Sequence, residues 1–239
     1  MAEATNNKKK IAIVTGANKG IGFEISRQLC FEGYKVYMGG RMMNRVLQSS
    51  GLLRGEGHEV VPFLMDVNDK ESIERLIKML NDAGEKVDAL INNAAILLDD
   101  HKGILDLTKE EIDLTLETNA IAPLIITKAL LPIMNPGCRV VMLSANSGSY
   151  CREKLGTWAP IYSLSKIALN AITRQLAPVL LKRDIYVNAV DPGWVRTSMG
   201  GDAAPRTIDQ GAETPVWLAT DMNFTETGKF WRDKEEIPW

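Results

Sequence analysis

The chain has 239 residues, 45% apolar and 24% charged, with a formal net charge of −2, the make-up of a globular protein with one sizeable core. Its basic run is confined to Lys8-Lys9-Lys10, which argues against a nucleic-acid surface. His58 and His101 have no ligand spacing around them, and Cys30, Cys138 and Cys151 have no paired spacing. No metal site and no disulfide framework are expected, and a reducing, cytoplasmic setting fits. No run of 18 apolar residues and no signal-like leader points to a membrane.

Residues 11–15 form a short β-rich run suited to a strand buried on both faces. It leads into Gly16-Ala-Asn-Lys-Gly20-Ile-Gly22, and residues 23–31 read as an amphipathic helix ended by Gly33. Strand, glycine turn and helix in that order are the context of a dinucleotide site, where backbone amides and the helix N-terminus receive a pyrophosphate. The second strand, 34–38, runs into Gly39-Gly40-Arg41. An NAD site commonly has a carboxylate at this place; here Arg41 follows instead, with Lys19 in the glycine turn, and two cations suit the 2′-phosphate of NADPH.

A third strand at 60–65 precedes Asp66-Val67, and a helix at 69–83 has Asp69 as its N-cap. The fourth strand, 87–91, enters Asn92-Asn93-Ala94-Ala95. Thr108 and Glu111 form a capping-box pattern that opens helical periodicity to about 134, through Asn119 and Pro123. A fifth strand at 139–144 and a turn-rich stretch lead to a helix that bears Tyr162 and runs to about 182. The sixth strand is 185–190, followed by Asp191-Pro-Gly-Trp-Val-Arg-Thr197. Residues 198–206 read as a mobile lid, 207–220 as a last helix, and 228–232 as a short edge strand. No linker or repeat divides the chain, so residues 1–239 are one α/β unit, its parallel sheet covered on both faces. Ligands of such sheets bind beyond the carboxyl ends of the strands, where the glycine turn, Asn92, Ser144 and Pro192-Gly193 collect.

Tyr162 and Lys166 stand one helical turn apart on one face. A phenol is a weak acid or base near neutrality, with a reference pKa of about 10. A neighbouring ammonium favours the phenolate and brings the phenol closer to useful proton transfer.

Taken together, residues 15–22, Asn92-Asn-Ala-Ala95, Asn119, Tyr162-x-x-x-Lys166 and Pro192-Gly-Trp-Val-Arg-Thr197 resemble the short-chain dehydrogenase/reductase family over nearly the whole chain. The carbonyl-reductase-like branch is the most similar, and Asp191 to Gly201 also resembles the sniffer and C-factor relatives. The resemblance implies a doubly wound Rossmann domain with a seven-stranded parallel sheet, NADPH as cofactor, and reduction of an aldehyde or ketone of a small hydrophobic substrate. Tyr162 would give the proton, Lys166 would hold the nicotinamide ribose and bias the tyrosine, Asn119 would help place a water, and Ser144 belongs to the same site. The cofactor would rest on Gly16, Asn18, Lys19, Gly20, Ile21, Gly22 and Arg41, then Asp66, Val67, Asn92 and Ala94, and finally Pro192, Gly193, Val195 and Thr197. A homodimer or homotetramer is also implied.

Two departures stand out. The family's Asn-Asn-Ala-Gly ends here in Ala95, and its Ser-Ser-x-x-Gly reads Ser144-Ala145-Asn146-Ser147-Gly148. The serine that orients the substrate carbonyl is therefore Ala145, leaving Ser144, Asn146, Ser147 or Ser149 as substitutes. Losing one such donor costs orders of magnitude in rate. That gap keeps two other readings open: a weakly active NADP-binding regulatory protein, and an enzyme reducing a conjugated C=C bond. The pocket walls are expected from 96–104, 146–158 and 194–206.

Overall fold

The structure, a computed structural model, describes residues 9–151 and 157–239. Lys8 and residues 152–156 of the expected pocket wall lie outside it. Eight strands form one sheet: β1 (Ile11–Val14), β2 (Lys35–Gly40), β3 (Val60–Leu64), β4 (Val87–Asn92), β5 (Met134–Leu143), β6 (Tyr186–Val190), β7 (Phe230–Arg232) and β8 (Glu235–Ile237). Their order is β3-β2-β1-β4-β5-β6-β7-β8. The first seven are parallel, and β8 joins β7 antiparallel. The seven-stranded parallel sheet is thus present, with one further strand that covers its β7 edge.

Alternation along the central strands sorts side chains to two helix layers. Ile11, Ile13, Val87, Leu90, Val140 and Met142 share a core with Ile73, Leu76, Ile126, Leu130 and Leu169. These come from α3 (Lys70–Asp82), α5 (Ala122–Leu130) and α6 (Pro160–Leu180). Ala12, Val14, Ala89, Ile91, Val141 and Leu143 pack against Ile25, Leu29, Val46, Leu53 and Val216, from α1 (Gly20–Phe31), α2 (Met43–Gly55) and α7 (Ile208–Thr220). Near-complete burial on both faces is why these strands read as unbroken apolar runs.

Three elements depart from the sequence expectation. Helix α2 was not expected: Leu47 and Leu52 are exposed while Val46 and Leu53 are buried, so apolar residues occupy both faces and blur the helical period. Strand β8 follows a tight turn in which Asp233 and Lys234 have φ of 52° and 62°, a hairpin geometry usually written with Asn-Gly. The third is the helical stretch after Thr108, which is broken into α4 (Lys109–Leu116), a π turn (Glu117–Ile121) and α5. Pro123 falls just beyond the π turn, in the first turn of α5, where its missing N–H costs least. By length and composition the stretch 109–133 is apolar enough to cross a membrane, yet half of its most apolar window is buried inside the body, as suits a core helix.

Candidate active site

A cleft of about 340 Å³ opens at the carboxyl ends of β1, β2, β4, β5 and β6. At its glycine-turn end, Gly16 and Gly22 lie against the turn after β4. A Cβ at Gly22 would stand 2.4 Å from Asn93 Nδ2 and 2.5 Å from the Gly16 carbonyl oxygen; one at Gly16, whose φ is +64°, would stand 3.0 Å from Ala94 Cα. Neither site has room for a side chain. Asn93 Nδ2 donates to the carbonyl oxygens of Thr15 and Gly16 at 2.9 and 3.1 Å. Thr15 Oγ1 accepts from the N–H groups of Asn93 and Ala94, both at 3.0 Å. The turns after β1 and β4 are therefore one hydrogen-bonded unit, shaped so that the backbone at the start of α1 meets a ligand directly.

Of the residues expected to bind cofactor, Gly16, Asn18, Lys19, Gly20, Ile21, Gly22, Arg41, Asp66, Val67, Ala94, Tyr162, Lys166, Pro192 and Thr197 line the cleft. Asn92, Gly193 and Val195 do not. Asn92 shares the sheet face of Leu90, so its amide turns toward α5 and donates to Thr127 Oγ1 and Met142 Sδ, both at 3.3 Å. Parity puts Asn93, one residue on, at the glycine turn instead. Val195 is buried and pairs as a β-bridge with Arg206. Lys19 Nζ donates to Ser198 Oγ at 2.7 Å, so it spans the cleft mouth rather than grouping with Arg41. The second cation beside Arg41 is Arg45, on the unexpected helix α2. Among the described residues neither arginine is in an ion pair.

The segment 198–206 is more structured than a free lid. Arg206 accepts from and donates to the backbone of residues 196 and 194, and Trp194 Nε1 donates to the Gly200 carbonyl oxygen at 2.7 Å. The loop is closed at its base, with Ser198 and Met199 facing the cleft.

At the other end, Tyr162 and Lys166 share one face of α6, with Lys166 Nζ 5.4 Å from the centre of the Tyr162 ring. Their electrostatics differ from the sequence expectation. Burial pushes the Lys166 ammonium down to about 7. Burial also pushes the Tyr162 phenol up, with Asp191 and Asp99 adding to the rise. Desolvation exceeds the help an ammonium gives, because Lys166 is itself out of water and donates to the Leu143 carbonyl oxygen at 2.7 Å.

Asn119 sits in the π turn, a common place for functional residues. Its amide is fully engaged: Oδ1 accepts from Ile96 N at 2.8 Å, and Nδ2 donates to the Ile96 carbonyl oxygen at 2.9 Å and to Ser165 Oγ at 3.0 Å. Ser165 Oγ in turn donates to the Tyr162 carbonyl oxygen at 2.6 Å. The side chain joins the turn after β4 to α6 and has no amide proton directed at a water in the cleft.

Ser144 lines the cleft, yet its hydroxyl donates to Asn170 Oδ1 at 2.6 Å. Ser149 Oγ donates to the Pro238 carbonyl oxygen at 3.2 Å. Ser147 Oγ is buried without a partner among the described residues, and Asn146 lines a separate groove beside Arg232 and Pro238. None of the four is set on the cleft in the place left by Ala145. Sequence reasoning missed Thr15 and Asn93 as the link between turns, Arg45, and Asn68 and Thr118 of the lining. Only Asn93 had a signal, as the neighbour of Asn92.

The sequence model of the short chain dehydrogenase family matches residues 10–207. Carbonyl reductase [NADPH] 3 of Mus musculus is 34% identical, with 96% of this chain and 98% of that protein aligned. Carbonyl reductase [NADPH] 1 of Sus scrofa is 31% identical over 98% of this chain and 96% of its own. The solved structure of NADPH-bound carbonyl reductase from chicken fatty liver is 26% identical, covers 97% of this chain and 99% of its own, and has a TM-score of 0.86. This chain belongs to the short-chain dehydrogenase family, and within it is similar to the carbonyl reductases.

Proposed function

We propose that the protein is an NADPH-dependent reductase of aldehydes or ketones. The observation that carries this is the Tyr162–Lys166 pair on the wall of the same cleft whose far end is the side-chain-free glycine turn. NADPH, the cofactor named for the similar carbonyl reductases, supplies the hydride when bound. The chain supplies the rest. Gly16, Gly20 and Gly22 let backbone approach the pyrophosphate, Arg41 and Arg45 take the 2′-phosphate, and Lys166 holds the ribose. Tyr162 gives its proton to the carbonyl oxygen as hydride reaches the carbon. A phenol that burial keeps protonated suits this acid role, and so favours reduction over oxidation near neutral pH. Exposed Trp158, Trp194 and Met199 suit a hydrophobic substrate. Three free cysteines agree with a cytoplasmic setting. Leu114, Ile125 and Leu164, each 40% exposed on α4, α5 and α6, support a dimer or tetramer.

A second reading, a NADPH-binding protein of weak turnover, is favoured by Ala145, since none of the neighbouring hydroxyls or amides replaces the missing donor. The experiment that separates the two is loss of NADPH absorbance with a panel of aldehydes, ketones and enones, with Tyr162→Phe alongside. Turnover of a carbonyl by the native protein, cut at least a hundredfold in the variant, supports the reductase. NADPH binding with no turnover of any carbonyl supports the second reading.

A further inference from the structure

Asp99 stands in the turn after β4, wholly buried. Its Oδ2 accepts from the backbone N–H of Ile161 at 2.6 Å and of Tyr162 at 3.2 Å. Oδ1 is buried with no partner among the described residues. Helix α6 starts at Pro160, and its own N-cap residue, Ala159, has no side-chain acceptor. The first amides of a helix need acceptors from outside it, and here they come from a residue 63 positions upstream. The same turn is stitched to the chain ahead of α6 by His101 N, which donates to the Trp158 carbonyl oxygen at 2.8 Å. It is also fastened to α4 through the ion pair of Lys102 with Glu111.

We infer that Asp99 is a positioning residue: its carboxyl group caps α6 from the β4 turn and thereby fixes where the Tyr162 side chain enters the cleft. The inference rests on the reading of Tyr162 as the proton donor. The cap acts on the amide of Tyr162 itself, so a shift of the helix start by a fraction of a turn moves the phenol relative to the reacting oxygen. Proton transfer tolerates little such error, because donor and acceptor must stand within hydrogen-bond reach. Asp99 has no place in the cleft lining, so its loss should spare nucleotide binding.

The test compares Asp99→Ala, which removes the acceptor, with Asp99→Asn, which keeps one, in the full-length protein. The first readout is amide hydrogen exchange of the peptide covering 159–166, which needs no activity. The alanine variant is expected to exchange there at least tenfold faster and the asparagine variant within threefold of the native protein. The second is kinetics: kcat lower by tenfold or more in Asp99→Ala, restored to within threefold in Asp99→Asn, with the Kd for NADPH unchanged within twofold in both. Native exchange and native kcat in Asp99→Ala overturn the inference. So does a joint fall of kcat and NADPH affinity by the same factor. If Asp99→Ala yields no folded protein, Asp99→Asn decides: native exchange with kcat down tenfold overturns positioning, and near-native kcat supports it. If the native protein reduces no carbonyl, the Tyr162 reading fails while the exchange data still decide whether Asp99 holds the helix.

Discussion

Lys166 Nζ donates to the Leu143 carbonyl oxygen at 2.7 Å, tying α6 to the last residue of β5. That bond is made by a side chain removed from water, and burial lowers the ammonium to about 7 from 10.5. The unfolded chain therefore binds one more proton than the folded one between about pH 7 and pH 10.5. Stability of the ligand-free protein rises with pH across that window, and below about 7 the cost of burying the charge is fully present, ~4 kcal/mol at most. Lys166→Met is expected to abolish turnover while raising Tm at pH 6 by roughly 2–6 °C, with the gap narrowing by pH 9. Thermal melts of the two proteins at both pH values check this, and a gap that ignores pH would remove the charge from the explanation.

Arg41 and Arg45 bring two cations to the rim of the cleft near Gly40. Arg41→Ala is expected to raise the KM for NADPH by roughly ten- to a hundredfold and leave that for NADH nearly unchanged. Arg45→Ala should act in the same direction. Steady-state kinetics with both cofactors measure it; equal losses for the two would place the 2′-phosphate elsewhere.

Gly22 admits no Cβ, with Asn93 Nδ2 and the Gly16 carbonyl oxygen inside 2.5 Å of where it would stand. Gly22→Ala should cost ~1–3 kcal/mol of stability and weaken NADPH binding at least tenfold. Gly51→Ala, within α2 and with open space around it, should stabilise by ~0.5–1 kcal/mol and leave binding unchanged. Chemical denaturation with fluorescence titration separates the two.

Ala145 leaves the loop after β5 without a free hydroxyl at the family's serine position, since Ser144 and Ser149 donate to Asn170 and Pro238. Ala145→Ser is expected to raise kcat for a ketone by at least tenfold with little change in the KM for NADPH. A variant no faster than the native protein would mean that the carbonyl is already held by another group.

The strands and the glycine turn were legible because their causes are local: unbroken apolar runs, glycines, and capping residues such as Asp69 and Thr108, both of which cap as expected. Arg45 was hidden because α2 lacks a clean apolar face. Asn92 was assigned to the cleft because motif matching does not count strand parity, which one residue reverses. The environment of Lys166 is set by what surrounds it in three dimensions, and a Y-x-x-x-K spacing says nothing about desolvation. Asp99 had no signal at all, since the amides it satisfies belong to another part of the chain.

The π turn at Glu117–Ile121 amounts to a helix with one residue spliced in. Its consequence is a rule about length. Deleting any one residue there would restore an ordinary α turn and rotate one flank against the other by about 100°. Either Ile126 and Leu130 would swing off the sheet, or Asn119 would swing away from Ile96. Substitutions along this stretch can be absorbed one side chain at a time. A single-codon deletion cannot, so the segment between Thr108 and Met134 should keep its residue count while its composition drifts.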